Sequence, residues 1–181
     1  MGCGCEPIIW YNYFMKKLAP IFTTIVIMAI IMIIFFSLAK QEQMITVYKD
    51  NHTQEPLKLK LHHLQDPKCA MVVEKNEFAA QLAAKSGKTW VFDDVGCLVL
   101  WQDDKVFIDA PKLWVYTLDS LKWIDAKKAH YSATEYSPML HGFGAHEYPG
   151  AKLIDYEEMR LRVLRGEDMT NPVIRKKLLG E

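Results

Sequence analysis

From Leu18 to Ala39 the chain carries no charged residue, a run of 22 positions bracketed by Lys16 and Lys17 before it and Lys40 after it. Coiled as a helix, such a run extends about 33 Å, against a bilayer hydrocarbon layer of about 30 Å. A water-soluble domain core seldom accommodates a helix of that length that is apolar throughout. The run is also too long for the apolar part of a secretory signal, no small-x-small cleavage site follows it, and no cysteine follows to accept a lipid. It reads as an uncleaved single-pass anchor, with Thr23 and Thr24 able to bond back to the helix backbone. Lys16 and Lys17 abut its N-terminal side, which assigns residues 1–17 to the cytoplasm as a short tail. The remainder would then lie outside a bacterial inner membrane, in the periplasm.

That remainder is charge-balanced. The whole chain has 22 Lys and Arg against 22 Asp and Glu, so the basic excess expected of a nucleic-acid partner is missing. Its four cysteines are too few for a disulfide scaffold, and they sit far apart as Cys3 and Cys5, then Cys69, then Cys97. Cys3 and Cys5 fall in the cytoplasmic tail. Met-Gly-Cys resembles the start of an acylation signal, but Glu6 stands where Ser or Thr is required.

Beyond the anchor, residues 40–56 are polar and read as a tether. A domain is expected over 57–166, followed by a charged, loosely held tail over 167–181. Leu57 to Leu61 alternates apolar and basic residues, the pattern of a half-buried strand. Asn76 to Gly87 fits either an Ala-rich helix or one arm of a hairpin turning at Ser86-Gly87, and propensity leaves both open. Thr89-Trp90-Val91-Phe92 is strand-like. Asp93 and Asp94 look like caps for an apolar helix, Val95 to Trp101, with Cys97 buried inside it. Leu113 to Thr117 is a further strand, Trp123 to Ala129 turns the chain, and His130 to Ala133 is extended again. Asp155 to Arg165 is an amphipathic helix closed by Gly166.

The chemistry concentrates in two short stretches. In Cys69-Ala70-Met71 a thiol and a thioether stand two residues apart, and an extended chain would send both to one face with Ala70 away from them. Such a soft pair suits Cu(I) and is poorly matched to Mg or Ca. Met139 and His141 repeat the spacing after Pro138, and His146 follows beyond two glycines. Each of these residues, taken singly, is more often structural than a ligand, and it is the two pairs together that bring the metal reading level. Of His62 and His63, neighbours on a strand, at most one would share the side of Cys69.

Cys69-Ala70-Met71, Phe78-Ala79-Ala80-Gln81-Leu82, Trp90-Val91-Phe92-Asp93-Asp94, Trp123-Ile124-Asp125-Ala126 and Ser137-Pro138-Met139 with Gly142-Phe143-Gly144-Ala145 together resemble the NosL family, accessory proteins of nitrous-oxide reductase maturation. The resemblance covers roughly residues 61–165. It implies an α+β fold of two small ββαβ units, related to part of organomercurial lyase, and it selects the hairpin for Phe78 to Asp93. It also implies Cu(I) binding outside the cytoplasm and copper delivery in denitrification, to the reductase or its ABC-type maturation complex, without enzymatic activity. Ala70 stands where the family usually has glycine, and a helical anchor replaces the lipid many members carry. The expected metal ligands are Cys69, Met71 and Met139, completed by His141 or His146. Two rival readings stand beside this one. The first is an organomercurial-lyase-like enzyme built on Cys69, Cys97 and Asp94. The second is a metal-free accessory subunit of the membrane.

Overall fold

The computed structural model describes residues 7–39, 44–107 and 109–180. They form two units, one ending at Glu42 and one starting at Gln43, taken separately below. Cys3 and Cys5 lie outside the described residues.

The first unit is a helix, α1 (Pro7–Ala39), which begins eleven residues before the apolar run. Its stretch Leu18–Leu38 is long and apolar enough to cross a membrane, and none of it is buried within the protein. Pro20 sits inside α1 and has no N–H to offer the ladder. Thr23 Oγ1 donates to the carbonyls of Ala19 and Pro20, and Thr24 Oγ1 to that of Ile21, the back-bonding expected of hydroxyls in an apolar helix.

The second unit is α+β. Strands β1 (Ala80–Ala83) and β2 (Thr89–Phe92) make a hairpin, helix α2 (Val95–Asp103) follows, and β3 (Lys112–Tyr116) returns antiparallel to β1. Strand β4 (Trp123–Asp125) completes a four-stranded sheet of order β2-β1-β3-β4. The hairpin wins over the Ala-rich helix because every residue of Ala80–Ala83 pairs on both sides, with β2 and with β3, and Gly87, at φ +84°, turns the chain. Ala84 and Lys88 close the turn across it.

The sheet is covered on both faces. Leu82, Phe92 and Val115 pack with Leu98 of α2 and with Met159 and Val163 of the helix α3 (Tyr156–Arg165) in the main core. Full burial of each of these large side chains is worth roughly 1.5–3 kcal/mol. A second cluster of Leu64, Val73, Ala79 and Val91, flanked by Ile45, Leu59 and Leu61, forms apart from it. Leu57–Leu61 joins no ladder despite its alternation. The buried side-chain amide of Gln81 instead accepts from Leu57 N and donates to Leu57 O, at 2.9 Å each.

Residues 44–56, expected as a tether, are docked. Tyr48 exchanges backbone hydrogen bonds with Thr89, Asn51 Nδ2 donates to Thr89 Oγ1, and Gln54 Nε2 donates to the Ala83 carbonyl. Backbone hydrogen bonds and polar side chains make much of this attachment, with Ile45 and Tyr48 packed on the second cluster, and apolar periodicity gives no sign of it.

In the second half, a short 3₁₀ turn (Ala126–Lys128) leads to β5 (His130–Ser132), which pairs with β6 (Gly144–His146) as a separate two-stranded sheet, followed by α3. Asp155 caps α3 and Gly166, at φ +65°, ends it. Among the described residues no strand follows α3, so a second complete ββαβ unit does not form. Asn171 and Pro172, a cap and a first-turn proline, start helix α4 (Pro172–Leu179) there instead. Nor is the segment after Gly166 loose at its start: Asp168 and Met169 are almost fully buried. Gly142 makes room for Met169, since a Cβ at that glycine would come within 2.7 Å of the Met169 sulfur.

Candidate metal centre

Cys69 and Met71 sit in a turn, not in a strand. Pro67 fixes the backbone after Asp66, and Asp66 Oδ1 accepts from the N–H groups of Lys68 and Cys69 at 2.6 and 3.1 Å. Ala70 N donates to Asp66 O, and Asp66 N to Met71 O, closing the loop on itself. Ala70 has φ +64°, the left-handed region, so it does not simply face away as a strand residue would. A β-carbon there costs about 1 kcal/mol, a strain that a glycine at position 70 would relieve.

The buried carboxylate of Asp66 also reaches the start of α2, where Oδ2 accepts from Asp93 N at 3.1 Å. This brings the loop against Asp93 and Cys97. Cys69 Sγ lies 3.5 Å from Asp93 Oδ1. One donor atom from each of Asp66, Cys69, Asp93 and Cys97 lies within 4.8 Å of all the others, and such a cluster can hold a metal ion. Both cysteines are free thiols.

The electrostatics of the cluster keep its two thiols protonated. Burial pushes the Cys69 thiol up to about 12, and the carboxylates of Asp66 and Asp93 add to the rise while the Met71 N–H opposes it. Burial raises Cys97 further still, again helped by Asp66. Asp93 is pushed up to about 7, first by burial and then by Asp66. Two thiols crowd against two carboxyl groups, and a metal cation bound there would displace the thiol protons. Asp93 Oδ2 is buried without a hydrogen-bond partner.

The second loop, Ser137 to His141, attaches one residue further along. Asp94, fully buried, caps α2 by accepting from Gly96 N through Oδ1. Its Oδ2 accepts from Ser137 Oγ at 2.6 Å and from Met139 N at 3.2 Å. Leu140, between Met139 and His141, is left-handed at φ +59°. His141 is buried and its Nδ1 bonds Asp168 Oδ2 at 2.7 Å. Burial alone would lower the His141 pKa, but the Asp168 bond and the charge of Asp94 reverse this and leave it raised. Its ring lies against Gly96, where a Cβ would come within 2.3 Å of Cγ and Cδ2.

The expected ligands therefore fall as follows. Cys69 belongs to the thiol–carboxylate cluster. Met71 is exposed and lines a cavity of about 380 Å³ together with Asp93, Phe78, Tyr136 and Pro138. Met139 is half-buried against the main core, its backbone held by the residue next to Asp93. His141 is engaged with Asp168. His146 lies in β6 opposite His130, with its Nε2 buried and unpartnered. Asp66 and Asp93 were not among the residues expected to hold metal, and Cys97 was expected to do so only in the organomercurial-lyase-like reading. The Asp66-Pro67 pair is a turn signal that places a carboxylate under Cys69, and Asp93 stands just ahead of the Asp94 cap of the helix that carries Cys97. Asp94, the carboxylate expected to join the two thiols, is spent on capping, and Asp93 takes that place.

A scan against protein-family models finds no match to this chain, and no curated protein or solved structure matches it.

Proposed function

We propose that the chain is a membrane-anchored, extracytoplasmic Cu(I)-binding protein that passes copper to an acceptor. The observation that carries this reading is the meeting of both sulfur-bearing loops at Asp93-Asp94, the start of α2. Cys69 contacts Asp93 through its sulfur, and Met139 is held by Asp94 through its backbone. A thiolate supplemented by thioethers is a soft donor set matched to Cu(I). The exposed thioether of Met71, beside an open cavity, gives an incoming ligand a way to attack before the outgoing one has left. The resemblance to NosL proteins suggests nitrous-oxide reductase, or its ABC-type maturation complex, as the recipient, and α1 as the inner-membrane anchor.

The test is an anaerobic Cu(I) titration of the full chain in detergent against a competing chelator. Cys69→Ser should abolish high-affinity binding, and Met71→Leu should speed loss of copper to the chelator. Parent-like affinity in Cys69→Ser would end the proposal, and no measurable affinity in the parent would favour the metal-free accessory subunit. Transfer of the bound copper to apo-reductase, compared with an unrelated copper enzyme, tests the recipient.

A second reading gains support from the cluster itself. Cys69 and Cys97 converge with the Asp93 carboxylate, the groups that a thiol-dependent cleavage of a carbon–mercury bond requires. Turnover of an organomercurial by the purified protein would establish that reading in place of the first.

A further inference from the structure

We infer that Cys69, Cys97 and Asp93 form a three-ligand site for a thiophilic divalent ion of the Zn²⁺ class, with its fourth position open toward the cavity that Asp93 lines. The inference shares Cys69 with the copper reading above but depends neither on copper nor on the methionines.

The donor set decides the class of ion. Cu(I) is served by sulfur and gains little from a carboxylate, whereas Zn²⁺ and Cd²⁺ accept thiolate and carboxylate together. The spacing fits as well. At metal–sulfur and metal–oxygen lengths of about 2.3 and 2.1 Å, tetrahedral donors stand about 3.4–3.8 Å apart. The Cys69 sulfur and the Asp93 oxygen are separated by 3.5 Å. All donors of the cluster fall within 4.8 Å of one another, so small side-chain rotations close the site.

An independent sign comes from Asp93 alone. It is 4% exposed, yet its Oδ2 has no hydrogen-bond partner. A buried carboxylate oxygen without a donor is costly when ionised, and a bound cation would offset that cost where otherwise a proton must. Asp66 is otherwise employed: both its oxygens accept backbone N–H groups, from Lys68, Cys69 and Asp93. Its part is to set the loop and aim Cys69, leaving three ligands and one open position. Sites that exchange or activate a ligand keep such a position, while purely structural zinc sites are closed.

The full chain, reduced and in detergent, is titrated with Zn²⁺ under chelator competition and with Cd²⁺ under ultraviolet detection of thiolate-to-metal absorption. One ion should bind per chain, with a Cd²⁺ band twice as intense in the parent as in Cys97→Ala. Asp93→Asn and Cys97→Ala should each weaken Zn²⁺ binding at least tenfold, and Met71→Leu and Met139→Leu should leave it unchanged. Calorimetry of the parent in buffers of different ionisation heat should count at least two protons released per Zn²⁺, one from each thiol. That count needs no variant to fold. Release of a single proton, parent-like Zn²⁺ affinity in Cys97→Ala with native circular dichroism, or no Zn²⁺ or Cd²⁺ binding by the parent would each overturn the site. Failure of Cu(I) binding with Zn²⁺ binding intact would remove the copper proposal and leave this one standing.

Discussion

The loops at 66–71 and 137–141 are built alike and behave differently. In each, a buried aspartate accepts the backbone N–H of the sulfur residue, at 3.1 Å for Cys69 and 3.2 Å for Met139. In each, a non-glycine residue in the left-handed region separates the two candidate donors. The first loop carries its aspartate three residues upstream and leaves Met71 exposed beside a cavity. The second borrows Asp94 from the far side of a helix cap and closes His141 under Asp168. Equal spacing in the sequence thus yields one loop that leaves its last side chain beside a cavity and one that fastens it into the fold. The partner of the last residue makes the difference.

The sharpest way to break this contrast is Gly96→Ala. The new methyl would meet the His141 ring at 2.2–2.3 Å and force it from Asp168. Helix propensity returns about 1 kcal/mol, but overpacking and a stranded buried charge cost more, for a net loss of about 3 kcal/mol in urea unfolding. An unchanged midpoint would mean that His141 is not a structural clasp.

Asp168→Asn comes next, at about 2 kcal/mol near pH 6. His141 has its pKa raised by folding, so its contribution is complete below its ordinary value of 6.5 and fades as pH rises through the folded value. Asp168 is lowered by folding, so its share is present above its ordinary 3.8 and is lost only in acid. The gap between parent and variant should therefore be widest from pH 5 to 6 and narrow by pH 9, as read from tryptophan fluorescence.

The first loop should answer in the opposite sense. Asp93 is raised to about 7, so its ionisation weighs against the folded state increasingly from its ordinary 3.8 upward. Asp93→Asn should stabilise the metal-free protein at pH 8 by on the order of 1–2 kcal/mol, with no gain at pH 4. A loss at pH 8 would show that the carboxylate supports the fold and is not held in reserve for a ligand. The smallest effect belongs to the left-handed residues. Ala70→Gly should stabilise by up to about 1 kcal/mol, while Leu140→Gly should come out near zero because the lost leucine contacts offset the relief. Thermal unfolding of the two variants side by side measures this.

Much of the scaffold was legible in the sequence because it follows local rules. The apolar run of α1, the Asp94 cap, the amphipathic α3 and its Gly166 stop are each written within a few residues. The hairpin needed the resemblance, since its alanines favour helix. The strand alternation expected to aim Cys69 and Met71 to one face gives way to an aspartate-proline turn. Asp168 had no local signature: it lies 27 residues from His141, and only the folded chain joins them. Docking of residues 44–56 was hidden for a related reason, because amides and hydroxyls carry much of it.

The glutamine at position 81 has a consequence for how the domain breathes. Its side chain holds both polar groups of Leu57 from a strand that is itself fully paired on either side. The Leu57 amide proton thus belongs to no sheet, yet it can swap with solvent deuterium only when the covering segment lifts. It is a native reporter placed where the chain peels, and its exchange rate times that opening separately from global unfolding.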